Sequence, residues 1–177
     1  MKKIFTLCVA VLMAVTTVKA QFEIGGIVGG LNGLSMKYWF NDNLALQGDL
    51  AVGLTAANGA TYYNGTKLTG EGQLDLYDFT LNPNLLYHFN LPENFKLYCG
   101  GGVNLGLMSY IDNTNSNFIF GKFGANGVIG ASYDLDSAPV VFALDFRPGY
   151  GLGFKEANDP HSSFFDWKLG FAVRYKF

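Results

Sequence analysis

From Phe165 to Phe177 the chain alternates in polarity. Trp167, Leu169, Phe171, Val173, Tyr175 and Phe177 share one parity; Asp166, Lys168, Gly170, Ala172, Arg174 and Lys176 share the other. Successive side chains of a strand point to opposite faces, so this segment predicts a strand with one apolar face and one polar or small face. The same alternation recurs upstream. Tyr77, Phe79, Leu81, Leu85, Tyr87 and Phe89 oppose Asp78, Thr80, Asn82, Asn84 and His88, and Phe142, Leu144, Phe146 and Tyr150 oppose Asp145, Arg147 and Gly149. Leu34, Met36 and Tyr38 oppose Ser35 and Lys37, while Leu46, Leu50 and Val52 oppose Gln47 and Asp49. Eight strands are predicted in all, over roughly 22–30, 33–40, 44–54, 74–89, 95–108, 119–134, 139–152 and 164–177. Pro83 and Pro148 fall inside two of them, and a bulge or an irregular pair is expected at each, because proline cannot donate to a ladder.

The connections sort by length. With both termini on one side, the turns on that side are 41–43, 90–94 and 134–138, all short and built of turn formers. The opposite connections are 31–33, 55–73, 109–118 and 153–163, three of them long and polar or glycine-rich. An even strand count with short turns at one end and long loops at the other is the layout of a transmembrane β-barrel.

Composition narrows the choice. Sixteen Phe, ten Tyr and 23 Gly accompany only 15% charged residues, against about 25% in a soluble domain. After residue 20 no apolar run approaches the length of a membrane helix. A chain this poor in charge that faces lipid must pair every backbone polar group, and a closed barrel does so. The fold class expected is therefore all-β, an eight-stranded antiparallel up-and-down transmembrane barrel. A soluble barrel carrying a lipophilic ligand would need the reverse polarity, apolar inside and polar outside.

At the N-terminus, Met1-Lys2-Lys3 precedes an apolar run from Ile4 to Val15 and then Val18-Lys19-Ala20, with small or modest residues at the positions a signal peptidase reads. This predicts a secretory signal peptide over 1–20 with cleavage before Gln21, leaving 21–177 as one barrel domain. Losing Lys2, Lys3 and Lys19 from the twelve basic residues leaves nine against fourteen acidic ones, a net charge of −5 that gives no reason to expect nucleic acid. Cys99 is then the only cysteine, so no internal disulfide can form. With His88 and His161 the only histidines, no zinc pattern exists, and no cofactor is expected.

The inward face carries the candidate chemistry. Lys37, Asp49, Asp78, His88, Lys122, Asp145, Arg147, Asp166 and Arg174 form an expected interior polar network, with Glu23, Gln47, Asn82, Asn84, Lys96, Asn104, Asn126 and Lys168 on the same face. Eight strands leave just enough room for side chains to fill the bore. Charges of both signs there favour a filled, paired interior over a one-sign pore, with a small porin-like channel as the alternative. An enzyme would need a nucleophile, a base and an orienting acid. His161 and Ser163, near Asp159 and Asp166, are the nearest set, outside any recognisable motif, so a lipid A-modifying activity ranks below both other readings and no catalytic residue is assigned. Tyr38, Trp39, Phe40, Tyr87, Phe89, Tyr98, Tyr133, Tyr150, Trp167 and Tyr175 are expected in aromatic girdles at the bilayer interfaces.

In pattern and length, residues 21–177 resemble the small outer-membrane barrel family that includes OmpX and the membrane domain of OmpA, of porin-type architecture. The most specific piece is Lys168-x-Gly170-x-x-Val173-x-Tyr175 followed by Lys176-Phe177, which resembles the C-terminal assembly signal of that family. The resemblance implies an integral protein of the bacterial outer membrane, surrounded by its lipid. It also implies recognition of Lys168, Gly170, Val173, Tyr175 and Phe177 by the barrel-assembly machinery. A monomer with a structural or surface-interaction role is the resulting expectation.

Overall fold

Each long alternating segment forms a strand. The computed structural model describes residues 21–54, 61–63, 66–68, 77–111, 117–154 and 162–177. In chain order the strands are β1 (Phe22–Gly29), β2 (Asn32–Trp39), β3 (Leu44–Leu54), β4 (Thr61–Tyr63), β5 (Thr66–Leu68), β6 (Tyr77–Asn90), β7 (Phe95–Ile111), β8 (Asn117–Asp134), β9 (Val140–Phe154) and β10 (Ser162–Lys176). Eight of them close an antiparallel barrel in the order β1-β10-β9-β8-β7-β6-β3-β2, and β4 pairs with β5 alone. That small hairpin lies within the predicted loop 55–73 and packs against β10. Its three-residue strands are too short to leave an alternating pattern in the sequence. The expected signal peptide lies outside the described residues.

Turn chemistry fixes one end of the barrel. Asn41 Oδ1 accepts hydrogen bonds from the backbone of Asn43 (2.9 Å) and Leu44 (2.8 Å), an Asx turn that starts β3. Glu93 and Asn94, at φ of 61° and 62°, reverse the chain between β6 and β7. At the other end β1 meets β2 through only Gly30 and Leu31. Gly29, at φ 119°, exchanges two hydrogen bonds with the Asn32 side chain, a conformation an L side chain would resist. The predicted loop 31–33 thus shrinks, because Asn32 and Gly33 already belong to β2. Two of the other loops also give residues up to the barrel: β7 runs to Ile111, β8 starts at Asn117, β9 reaches Phe154 and β10 starts at Ser162.

At each proline the irregular pair forms and the bulge does not. The β3–β6 ladder passes through Pro83 opposite Gly48, while the β6–β7 ladder lacks pairs at Asn82 and Pro83 and resumes in the same register at Asn84 opposite Gly102. The β9–β10 ladder passes through Pro148 opposite Trp167, and the β8–β9 ladder resumes unchanged beyond the gap, at Ile129 opposite Phe146. An antiparallel residue directs its N–H and C=O to one neighbour, so a proline disturbs one ladder and spares the other.

The strands are steeply inclined. A single hydrogen-bonded row runs from Glu23 through Lys37, Gln47, Asn84, Gly102, Asn126 and Gly149 to Asp166. It begins at the turn end of β1 and finishes near the loop end of β10, the stagger that closing a small barrel requires. Interior neighbours are thereby drawn from distant parts of the chain.

Polarity is inverted relative to a water-soluble protein. Leu81, Leu85, Phe89, Leu97, Phe123, Ile129, Leu144, Phe146, Leu169 and Phe171 all lie exposed on the outer surface. Ten charged or titratable side chains, Glu23, Lys37, Asp49, His88, Lys122, Asp145, Arg147, Asp166, Lys168 and Arg174, point inward, none more than 5% exposed. Cys99 is exposed on the outer face.

Candidate functional site

The interior is a stack of polar clusters built by inward positions of every barrel strand. At the turn end Lys96 and Lys176 both donate to Asp134 Oδ2 at 3.0 Å. Directly above, Trp39 Nε1 donates to Glu23 Oε1 at 2.7 Å, and the Trp39 ring packs on His88 with centroids 4.3 Å apart. Lys37 Nζ lies 3.2 Å from His88 Nε2 and 4.6 Å from the centre of the Tyr98 ring. Its charge is thus held by an imidazole nitrogen and an aromatic face. Arg174 donates through Nε to Ser35 Oγ at 2.9 Å and reaches Glu23 Oε2 with Nη1 at 4.0 Å, so a residue of β10 binds both β1 and β2.

The middle cluster crosses the bore. Arg147 on β9 donates through Nη1 to Asp49 Oδ2 on β3 at 2.7 Å and through Nη2 to Asp145. Tyr98 donates its hydroxyl to Asp145, and Gln47 donates to Asp49 at 3.1 Å and to Asp145 at 3.3 Å. Gly130 leaves room for the Tyr98 ring, since a Cβ there would lie 2.5 Å from Tyr98 Cζ. Toward the loop end, Asn126 donates to Asn84 at 2.6 Å, Asn82 to Thr80 at 2.9 Å and Thr80 to Asn104 at 2.9 Å. Lys122 and Lys168 close the stack on Asp166 at 3.0 and 3.2 Å. Ile27, Leu31, Ala51, Ala143 and Ala172 form an apolar patch inside the same wall.

Two aromatic assignments are corrected here. Trp39 and Tyr98, expected in the girdles, point inward, 6% and 2% exposed. Each shares parity with a charged interior residue, Trp39 with Lys37 and Tyr98 with Lys96. Both also carry a polar N–H or O–H that a buried carboxylate can accept. Parity alone would have placed them. Tyr87, Tyr150, Trp167 and Tyr175 do lie exposed outside.

Other candidate positions divide by location. Asp78 opposes Met108 near the loop end of β6, and its side chain lies outside the described residues. The same holds for His161, Asp159 and the Ser163 side chain, although the Ser163 backbone belongs to β10. Within the C-terminal segment, Lys168 and Gly170 face inward, and a Cβ on Gly170 would lie 2.8 Å from Ile27 Cδ1. Val173, Tyr175 and Phe177 face outward, and the Phe177 N–H donates to the Phe22 carbonyl at 2.8 Å. Among the described residues no cluster of His, Cys, Asp or Glu could hold a metal ion.

No protein-family model matches the chain, and no curated protein is similar to it in sequence. Solved structures share its fold. The N-terminal β-barrel domain of Pseudomonas aeruginosa OprF is similar at 15% identity and a TM-score of 0.53, over 89% of this chain and 96% of that one. Neisserial surface protein A follows at 16% and 0.52, over 89% and 94%, and the outer membrane protein OprG from Pseudomonas aeruginosa at 14% and 0.50, over 89% and 95%. At these identities the likeness is one of architecture.

Proposed function

We propose that the chain is an integral outer-membrane barrel protein with a structural or surface-interaction role and a filled, non-conducting interior. The single observation that carries this reading is the pairing of an exposed apolar outer face with buried, paired charges inside. In water such a belt would far exceed the few hundred Å² of contiguous apolar surface that a monomer tolerates, and lipid is the solvent that fits it. The Arg147–Asp49 pair spans the bore, and paired charges nearer each end add side chains where a pore would need water. Loop and turn lengths orient the short-turn end, with both chain termini, toward the periplasm and the loop end outward. A signal peptide over 1–20 would deliver the chain, and outward Val173, Tyr175 and Phe177 present the last strand to the assembly machinery. The barrel works as a monomer and no enzymatic activity is assigned to it.

Planar-bilayer recording of the purified, heat-modifiable barrel tests the reading. No conductance steps above baseline are expected. Reproducible steps would replace the structural role with a small porin-like channel, and recovery of the protein in the soluble periplasmic fraction would overturn the membrane assignment.

A further inference from the structure

The interior cations differ in their access to water. Lys37, Arg147 and Arg174 have side chains sealed within the wall. Lys96 and Lys176 are 18% and 27% exposed, at the turn-end mouth. There they line a cavity of about 380 Å³ that opens to solvent, a size in the range of small-molecule sites. Buried Trp39 forms its floor, with Lys96 Nζ 4.8 Å from the ring centre, and the exposed residues Gln21, Asn41, Asp42 and Asn90 form the rim.

We propose that this cup binds a small zwitterion, a free amino acid or a dipeptide. Both ammonium groups share one carboxylate, Asp134, so the floor retains one net positive charge and N–H donors beyond those spent on Asp134. A ligand carboxylate fits there. Asp42 places a carboxylate on the rim of the same cavity, where a ligand ammonium fits. A plain anion would gain the first contact and be repelled by the second, and a plain cation the reverse. This site does not depend on a closed interior: a conducting barrel would leave the titration below unchanged.

The sequence has two tryptophans, so Trp167→Phe leaves Trp39 as the sole fluorescent reporter. The folded barrel in detergent is titrated with diglycine, acetate and ethylammonium, and backbone amide shifts give a second readout. Diglycine is expected to saturate in the millimolar range, at least about tenfold tighter than acetate. Lys176→Gln, which leaves the Lys96 contact to the reporter in place, should weaken diglycine about tenfold. Asp42→Asn should erase the preference over acetate. Each variant is first checked for heat-modifiable folding. Failure of diglycine to saturate, an identical titration in Lys176→Gln, or ethylammonium matching diglycine would each overturn the site.

Discussion

Arg147 and Asp49 join opposite walls of the barrel. Their strands, β9 and β3, stand four places apart in a ring of eight, so the 2.7 Å bond between Nη1 and Oδ2 spans the full bore. Both groups are buried, and neither can exchange its partner for solvent.

Arg147 serves two buried carboxylates, Asp49 and Asp145, so removing it leaves both uncompensated, and breaking a buried pair in this way costs about 3–5 kcal/mol. Arg147→Met should therefore lower the midpoint of urea unfolding sharply, read as loss of the heat-modifiable band. Arg147→Met combined with Asp49→Leu should recover part of the loss, since one of the two orphaned carboxylates is then gone. An additive double variant would mean that the two residues act separately.

Gly170 offers a second test. A Cβ there would meet only the end of Ile27, Cδ1 at 2.8 Å and Cγ1 at 3.2 Å. Gly170→Ala should cost about 1–3 kcal/mol through overpacking. Ile27→Val, which deletes Cδ1, should return much of that stability. If the assembly machinery instead reads Gly170 directly, membrane levels of Gly170→Ala will stay low in the Ile27→Val background.

Phe177 separates assembly from stability. Its side chain is 69% exposed, and its N–H closes on Phe22 at 2.8 Å. Phe177→Ala keeps that backbone bond. Under the assembly-signal reading it should reduce the amount inserted in cells while leaving the unfolding midpoint of purified barrel within about 0.5 kcal/mol of the parent. Normal insertion would remove the residue from the signal.

Acid should loosen the turn-end mouth. Asp134 ends an 18-residue strand, beyond the roughly ten residues that cross the hydrocarbon. Burial raises its carboxyl pKa, but the hydrogen bonds and charges of Lys96 and Lys176 outweigh burial and hold it below the usual aspartate range. A depressed pKa in the folded state contributes stability that is present above about pH 4 and is lost as pH falls through the depressed value. Asp134→Asn should flatten this acid limb of an unfolding profile. An unchanged limb would assign the acid sensitivity to another carboxylate.

Alternation made the barrel legible, since a strand with one lipid face and one polar face writes its geometry as parity. It also predicts the inward orientation of Lys37, Asp145 and Arg174. Trp39 and Tyr98 were misread because residue type outweighed parity: a tryptophan suggests an interface until its N–H is seen to meet Glu23. That Arg147 reaches Asp49 could not be read, because partners across a bore depend on the stagger of all the intervening ladders. The irregular pair expected at each proline does form, as a gap in one ladder only. Sequence shows the missing donor but not which neighbour it faced.

The first two strands have eight residues each, against fifteen in β9 and β10. The seam that closes the ring, β1 on β10, holds seven register pairs, whereas β9 on β10 holds fourteen. Under mechanical load the molecule is therefore polarised. Drawn out by its N-terminus, it should surrender the β1–β2 hairpin at low force and leave an open sheet. Drawn by its C-terminus, it should resist until the long β9–β10 ladder gives way, so the direction of pull decides which end of the chain leaves the membrane first.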